Sequence, residues 1–406
     1  MNKKVSLGAA ICFMAIAAAV TFTITMYFSL NIFNSKIANV TERDNFYDKI
    51  AEIDTIVRNN FLEDIDEDRL MDYVADGYMA GLDDPYTYYM NQEEYKAYQM
   101  DNAGELVGIG VTVIQDESGY ILVKGVEEGS PAENAGIQAG DLIVKVGDID
   151  VLSEGYNEAV TAVRGEEGTT VVLTIRRDNE DLQVEAVRKL IKSTTISYRL
   201  IGDNGYIKIS KFDETTFDDF KNAVSDLQSQ GATGLIFDVR NNPGGLLDSV
   251  ADVLDYLLPE GPIVSSVNKK GETKMLYESD ANCVDLPMIV LCNGETASAG
   301  ELFSAALRDY KKAELVGVNT FGKGIMQTAY TLADGSALSL TTDYYNPPSG
   351  INFHGVGLKP DYEVKLTADQ ELNIFSLDEN TDPQLQKAIT AHDLDLTGAV
   401  CADIGA

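Results

Sequence analysis

The sequence predicts a multidomain α+β chain with an N-terminal membrane helix, a helical arm, a small β-domain and an α/β core. Three observations carry this prediction. Val5 to Leu30 is uncharged; from Gly104 to Ile191 short β runs alternate with turn signals; from about Asn204 to Val364 strands alternate with helices. At 406 residues the chain has room for two or three domains with real cores. Lys and Arg number 31 against 65 Asp and Glu, a net charge of −34. That field repels nucleic-acid phosphates and anionic headgroups and excludes nucleic-acid binding as a function class. With 45 % hydrophobic residues and no low-complexity run, the acidity reads as a solvated surface rather than a disordered tail.

The first segment, residues 1–34, reads as an anchor. As a helix at ~1.5 Å per residue, Val5–Leu30 exceeds the ~30 Å hydrocarbon core. A secretory signal competes with this reading, because Lys3 and Lys4 form a basic start and Ala17-Ala18-Ala19 offers a cleavage site. The apolar run continues past that site, which favours an uncleaved single-pass anchor with everything after it outside the cytoplasm; secretion after cleavage is the alternative. Lys36, Arg43 and Lys49 nearly balance the N-terminal charge, so the loop-charge rule adds little.

Residues 35–103 form the arm. Tyr47, Ile50, Ile53, Ile56 and Val57, then Leu70, Tyr73, Val74 and Tyr78, recur at helical spacing. Gly81-Leu82-Asp83-Asp84-Pro85-Tyr86 breaks the pattern, and a further helix starts at Asn91. The arm is expected to pack or dimerise without contributing chemistry. In residues 104–191 the predicted strands are Val107–Ile114, Tyr120–Val126, Asp141–Val146 and a hairpin of Thr170–Arg176 with Leu182–Val187. Short helices follow Gly129-Ser130-Pro131-Ala132 and span Tyr156–Val163. This segment resembles a PDZ domain through Gly108-Ile109-Gly110-Val111 and the block from Gly129 to Ile143. In that motif Gly108, Ile109, Gly110 and Val111 turn backbone amides toward a peptide carboxylate while the adjacent strand edge takes the peptide; Ala159, Val160 and Val163 are the expected side-chain pocket.

Residues 192–365 form the α/β core, with strands expected at Gly205–Ser210, Gly234–Val239, Leu286–Cys292 and Glu314–Val318 and helices at Asp213–Gln230, Leu246–Leu258 and Ser298–Tyr310. Two strand-to-helix junctions stand out. The first, Asp238-Val239-Arg240-Asn241-Asn242-Pro243-Gly244-Gly245, lets the backbone approach another group closely, though it also reads as a plain βα turn. In the second, Ser298 reads as an N-cap with Glu301 completing a capping box; it equally places a hydroxyl at the positive end of a helix, where an oxyanion is stabilised. A nucleophilic serine needs a base. His354 and His392 are the only histidines, in a Gly-rich turn and in the tail. Lys323, between Gly322 and Gly324 with no acidic neighbour in sequence, is the better candidate, against the plain reading of a surface lysine. The tail, 366–406, shows no chemistry. Cys283, Cys292 and Cys401 leave room for one disulfide, and no spacing suggests a metal.

Taken together, these motifs resemble the carboxyl-terminal processing peptidases, also called tail-specific proteases. The resemblance rests on Leu82–Tyr86, the two PDZ blocks, Asp238–Gly245, Thr296–Glu301, Phe321–Gly324 and Gly355–Asp361. It fades in the tail. It implies a crotonase- or Clp-like α/β spiral core, Ser298 as nucleophile, Lys323 as general base and Gln327 as the residue orienting that lysine. It also implies an oxyanion hole from the amide of Ala299 with that of Gly244 or Gly245. Gly300 departs from the family, which often has a second serine there. The function implied is a serine endopeptidase that recognises substrate C-termini through the PDZ domain and cleaves near them, without metal or cofactor. Expected partners are protein or peptide substrates with free C-termini, the membrane, and a second copy of the chain in a homodimer. The lysine must be neutral to act, so its value of about 10.4 has to be depressed by desolvation, for which Ile325, Met326 and the residues around Phe321 are the candidates. The rivals are a tethered PDZ scaffold with a dead core and a crotonase-like acyl-transfer enzyme.

Overall fold

A computed structural model describes residues 7–36, 40–116, 118–127, 129–192, 194–372, 374 and 377–392. The chain divides into two compact units, 1–74 and 75–406. In the first, α1 (Leu7–Lys36) carries the uncharged, apolar stretch Cys12–Ser29, which is exposed throughout. By length and composition that stretch can cross a membrane, a test that a signal sequence also passes. Helix α2 (Val40–Asn60) carries Arg58 in its last turn, where it binds Asp54 one turn back at 2.9 Å and Glu67 of α3 (Glu67–Ala80) at 2.6 Å.

In the second unit a short strand, β1 (Tyr88–Met90), precedes α4 (Gln92–Asn102), whose N-cap Asn91 accepts the amides of Glu93 and Glu94 while Glu94 returns to the Asn91 amide. The predicted strand Val107–Ile114 is interrupted. Gly110 takes φ +78°, so β2 (Glu105–Gly108) and β3 (Val111–Gln115) separate, and β2 pairs instead with β9 (Lys189–Lys192). The PDZ sheet runs β3, β4 (Ile121–Val126), β5 (Leu142–Val146), β7 (Thr170–Arg177), β8 (Glu180–Val187), with β6 (Ile149–Asp150) beside β5. Asp178 and Asn179 form the tight β7–β8 turn at φ +51° and +64°, the left-handed geometry that matches hairpin twist. Helices α5 (Pro131–Asn134), α6 (Val151–Glu154) and α7 (Tyr156–Val163) close a core built on Ile121, Ile143, Leu173 and Ile175.

The α/β core holds a second six-stranded sheet in the order β10 (Ile196–Ile201), β11 (Asn204–Ile209), β12 (Gly234–Asp238), β15 (Met288–Cys292), β16 (Ala313–Gly317), β19 (Tyr362–Glu363). From β11 onward its pairs are parallel. Every residue of β12 and of β15 is buried, as continuous apolar runs require when both faces are covered. On one face lie α8 (Thr216–Ser229), α9 (Leu247–Leu257) and α10 (Ala299–Asp309), packed through Phe220, Leu254 and Phe303 on Leu235, Phe237 and Val290. The opposite face, Ile236, Ile289, Leu291 and Val316, is covered by Leu385 and Ala388 of α12 (Pro383–His392), which follows the short α11 (Ala368–Leu372). The tail, read from sequence as carrying no chemistry, thus contributes α12 as a structural layer of the core.

The sequence reading also missed an antiparallel sheet in the order β1, β18 (Ala337–Asn346), β13 (Gly261–Asn268), β14 (Thr273–Ser279), with β17 (Ile325–Thr331) on β18. Tyr88 sits opposite Ser339 and Met90 opposite Ala337, so part of the arm is a strand of the core sheet. Cys283 is disulfide-bonded, whereas Cys12 and Cys292 are free; Cys401 lies outside the described residues.

Candidate active site

Both strand-to-helix junctions emerge at the carboxyl ends of the parallel strands, where adjacent β12 and β15 hand over to α9 and α10. Ser298 is the N-cap of α10 and sits at φ +54°, ψ −117°, a region a non-glycine residue occupies only where its surroundings impose it. The capping box anticipated from sequence is present in its carboxylate half: Glu301 accepts the Ser298 amide at 3.0 Å. Lys323 lies in the loop between β16 and β17. That loop is held by Phe321 N–H to Thr296 O at 3.0 Å, Gly355 N–H to Gly322 O at 2.8 Å and Tyr345 N–H to Gly324 O at 3.2 Å. The segment 355–361 braces it further: a Cβ at Gly357 would lie 2.2 Å from the Thr320 carbonyl oxygen, so only glycine fits that approach.

Ser298, Ala299, Lys323 and Gln327 open on one cavity of about 340 Å³. Its walls come from three sources: Gly245, Leu246 and Leu247 after β12, Ile325 and Met326 of β17, and Pro85, Tyr86 and Tyr88 from the arm, between α3 and α4. The arm thus contributes directly to the site, contrary to the expectation from sequence. Neither histidine is among the cavity-lining residues; His354 stacks edge-on against Tyr344 at 5.9 Å. Among the described residues no hydrogen bond joins the Ser298 hydroxyl to the Lys323 amine. Gln327 Nε2 donates to Thr341 Oγ1 at 3.1 Å rather than to Lys323. The hydroxyl of the buried Tyr345 donates to the Lys323 carbonyl oxygen at 2.7 Å and also pairs with the Ser298 side chain, linking the two loops.

Burial pushes the Lys323 ammonium below the ordinary lysine range. The opposing influence corrects the sequence reading: an acidic neighbour does exist in space, Asp84, whose negative charge raises Lys323. Asp84 is itself held below the usual carboxylate range. Desolvation pushes it up, but donors from Thr341, Thr87 and the Tyr86 amide, with the Lys323 charge, prevail. The Tyr86 ring centroid lies 4.8 Å from Lys323 Nζ and also favours the charged form. Ile325 and Met326 line the cavity as expected, but Phe321 is half exposed at 52 % and does not seal it.

The turn after β12 brings Gly244 against Ser298, where a Cβ would lie 2.7 Å from Ser298 Cβ and 3.0 Å from Ala299 N. The Gly244 amide is already donated to Asn242 Oδ1 at 2.8 Å. Gly245 lines the cavity, and neither its amide nor that of Ala299, the first residue of α10, has an acceptor among the described residues. The turn is anchored from behind. Arg240 holds Asp238 at 2.6 and 2.9 Å, Asp382 at 2.8 Å and Gln384 at 2.9 Å, all buried.

In the PDZ domain Gly108, Ile109, Gly110 and Val111 line a groove of about 440 Å³ together with Val160, Val163 and Arg164. Ala159, expected there, is instead fully buried in the domain core. Strand β3 is a sheet edge, free to pair with an extended chain. Arg164, Asp84, Tyr86 and Tyr345 were not singled out from sequence. Asp84 and Tyr86 lay within a quoted motif, whereas nothing in the alternating run of β18 distinguishes Tyr345 from a core residue.

Residues 203–364 match the model of peptidase family S41, residues 122–177 that of a PDZ domain, and residues 7–94 that of the activating protease CtpB N-terminal domain. A CtpA-like serine protease of Staphylococcus aureus (strain COL) is 35 % identical over 347 residues, 84 % of this chain and 70 % of that one. A carboxy-terminal-processing protease of Bartonella bacilliformis is 37 % identical over 334 residues, 79 % of this chain and 76 % of that one. Among solved structures, the photosystem II D1 C-terminal processing protease superposes with a TM-score of 0.50 at 27 % identity, covering 80 % of this chain and 90 % of its own. An S41 protease from Bacteroides fragilis, 17 % identical with a TM-score of 0.54 over 82 % of this chain and 98 % of its own, shares the fold.

Proposed function

The chain belongs to peptidase family S41 as a PDZ-containing serine protease of the carboxyl-terminal-processing type, and on that premise we propose that it cleaves extracytoplasmic proteins near their C-termini with Ser298 as nucleophile and Lys323 as general base. The observation that carries this reading is that both side chains open on one cavity, at a helix N-terminus that offers unpaired amides. A substrate carbonyl placed there meets the Ser298 hydroxyl, and its developing oxyanion meets the Ala299 and Gly245 amides. Gly245 is favoured over Gly244 because the Gly244 amide already has an acceptor. Neutral Lys323 takes the hydroxyl proton as the C–O bond forms and returns it to the leaving amine; water then repeats the sequence on the acyl-enzyme. Gln327 can hold the lysine without charging it once it turns from Thr341.

The PDZ groove is read as the receptor for the substrate's terminal carboxylate, with the Gly108–Val111 backbone and Arg164 at the charge and Val160 and Val163 beneath an apolar side chain. An exported location is supported by the exposed apolar α1 and by the disulfide at Cys283, which suits an oxidising compartment. The test is turnover of an unstructured protein by parent, Ser298→Ala and Lys323→Ala chains, read by mass spectrometry of new C-termini. Each variant should lose nearly all cleavage, and the double variant should be scarcely worse because the two groups act as a unit. Cleavage by either single variant near the parent rate would overturn the assignment.

A further inference from the structure

The carboxylate of Glu301 is fully buried and sits where the nucleophile loop and the base loop meet. Its Oε2 accepts two backbone amides, that of Ser298 at 3.0 Å and that of Lys323 at 2.7 Å. Its Oε1 accepts the Gly322 amide at 2.7 Å and the Thr320 hydroxyl at 2.6 Å. The Thr320 oxygen in turn accepts the Leu358 amide at 2.7 Å, joining the segment after His354 to the same knot. Four donors converge on a carboxylate with about four lone-pair sites, so its acceptor capacity is filled, and they oppose the desolvation that pushes its pKa up.

A helix cap requires only the first of these four bonds. The other three reach across from a loop that begins nineteen residues later in sequence. A single oxygen that receives the amides of both reacting residues fixes the distance between their backbones, and it does so from the side away from the cavity. Ser298 needs that grip, since its positive φ persists only when neighbours hold it. Glu301 is not among the residues lining the cavity.

We propose that Glu301 is a positioning residue that sets the spacing and orientation of Ser298 relative to Lys323. The inference rests on the reading of those two residues as nucleophile and base. Glu301→Gln keeps the shape but turns one acceptor into an NH2 group that must face amide or hydroxyl donors, so one half of the clamp opens. Misplacement of reacting groups by about 1 Å costs on the order of 100-fold in rate. Glu301→Gln should therefore lose about that much in kcat, while KM for a short peptide stays within about threefold because the cavity walls are untouched.

The full-length chain is assayed in detergent, and kcat is expressed per site titrated with a serine-reactive fluorophosphonate, so that misfolded molecules drop out. A purely structural role predicts fewer titratable sites with normal kcat per site, and that result would overturn the proposal. Thr320→Val and Thr320→Ser form a second pair that leaves Glu301 in place. Valine removes one donor to Oε1 and should lower kcat several-fold, whereas serine keeps the hydroxyl and should restore it; equal kcat in both would count against the clamp. Labelling in the parent that maps away from Ser298 would instead overturn the underlying assignment of the nucleophile. Normal labelling at Ser298 with an unchanged Glu301→Gln would overturn the positioning role alone.

Discussion

Arg240 is where the fold and the site are most tightly coupled, and its removal has a calculable cost. Arg240→Met keeps the volume of the side chain and deletes its charge. Asp238 then retains the Tyr206 hydroxyl at 2.6 Å and the amide of position 240 at 3.0 Å; Asp382 retains the amides of Gln384 at 2.9 Å and Leu385 at 3.1 Å. Both carboxylates stay buried without their cation. Breaking a buried pair in this way typically costs about 3–5 kcal/mol, a large part of the ~5–15 kcal/mol that holds a domain together. The pH dependence has a definite sign. In the parent, desolvation pushes Asp238 up, but Arg240 outweighs it and holds the folded value below the usual range. Its contribution is thus present above the unfolded value of about 3.9 and lost as pH falls. Without Arg240 desolvation prevails, the folded value rises above the unfolded one, and the variant loses stability as pH rises through the carboxylate range. The stability difference between the two proteins should therefore widen from pH 4 to pH 7. Urea unfolding followed by far-UV circular dichroism measures it, since the chain has no tryptophan. A difference under about 1 kcal/mol at pH 7, or one that is the same at both pH values, would refute the reasoning.

Four further outcomes are expected. Cleavage should rise on the alkaline side as Lys323 loses its proton, with a midpoint below the free lysine value of about 10.4; Asp84→Asn removes the charge that raises Lys323 and should move the midpoint to lower pH, so an unmoved midpoint would exclude that coupling. His354→Ala should keep turnover within a few-fold of the parent in the same assay, because His354 does not line the cavity. Amidating the C-terminus of a good peptide substrate should weaken its binding to the PDZ groove by about tenfold or more, the worth of a hydrogen bond to a charged group, as read by calorimetry. Gly245→Ala should yield little folded protein by size-exclusion chromatography, because its Cβ would lie 1.9 Å from the Phe212 carbonyl oxygen.

Much of this protein is legible without coordinates where the determining forces are local. The α/β alternation of the core, the hairpin at Asp178-Asn179, the helix start at Asn91 and the position of Ser298 at a helix start all follow from periodicity and turn chemistry within a few residues, and the structure places each within a few residues of its predicted bounds. What only the tertiary structure decides is the company these residues keep. Asp84 and Tyr86 reach Lys323 because β1 pairs with β18, a contact across some 250 positions that no local pattern encodes. Tyr345 reads as one more residue of an alternating strand until the sheet turns it onto Ser298 and Lys323. Glu301 shows the division within one residue: its bond to the Ser298 amide is a three-residue cap written in the sequence, while its bonds to Thr320, Gly322 and Lys323 exist only because parallel β15 and β16 bring their loops to the same end of the sheet. Local propensity acts over one or two turns of chain, whereas desolvation, Coulomb attraction and hydrogen-bond geometry act through space, and the fold determines which groups they join.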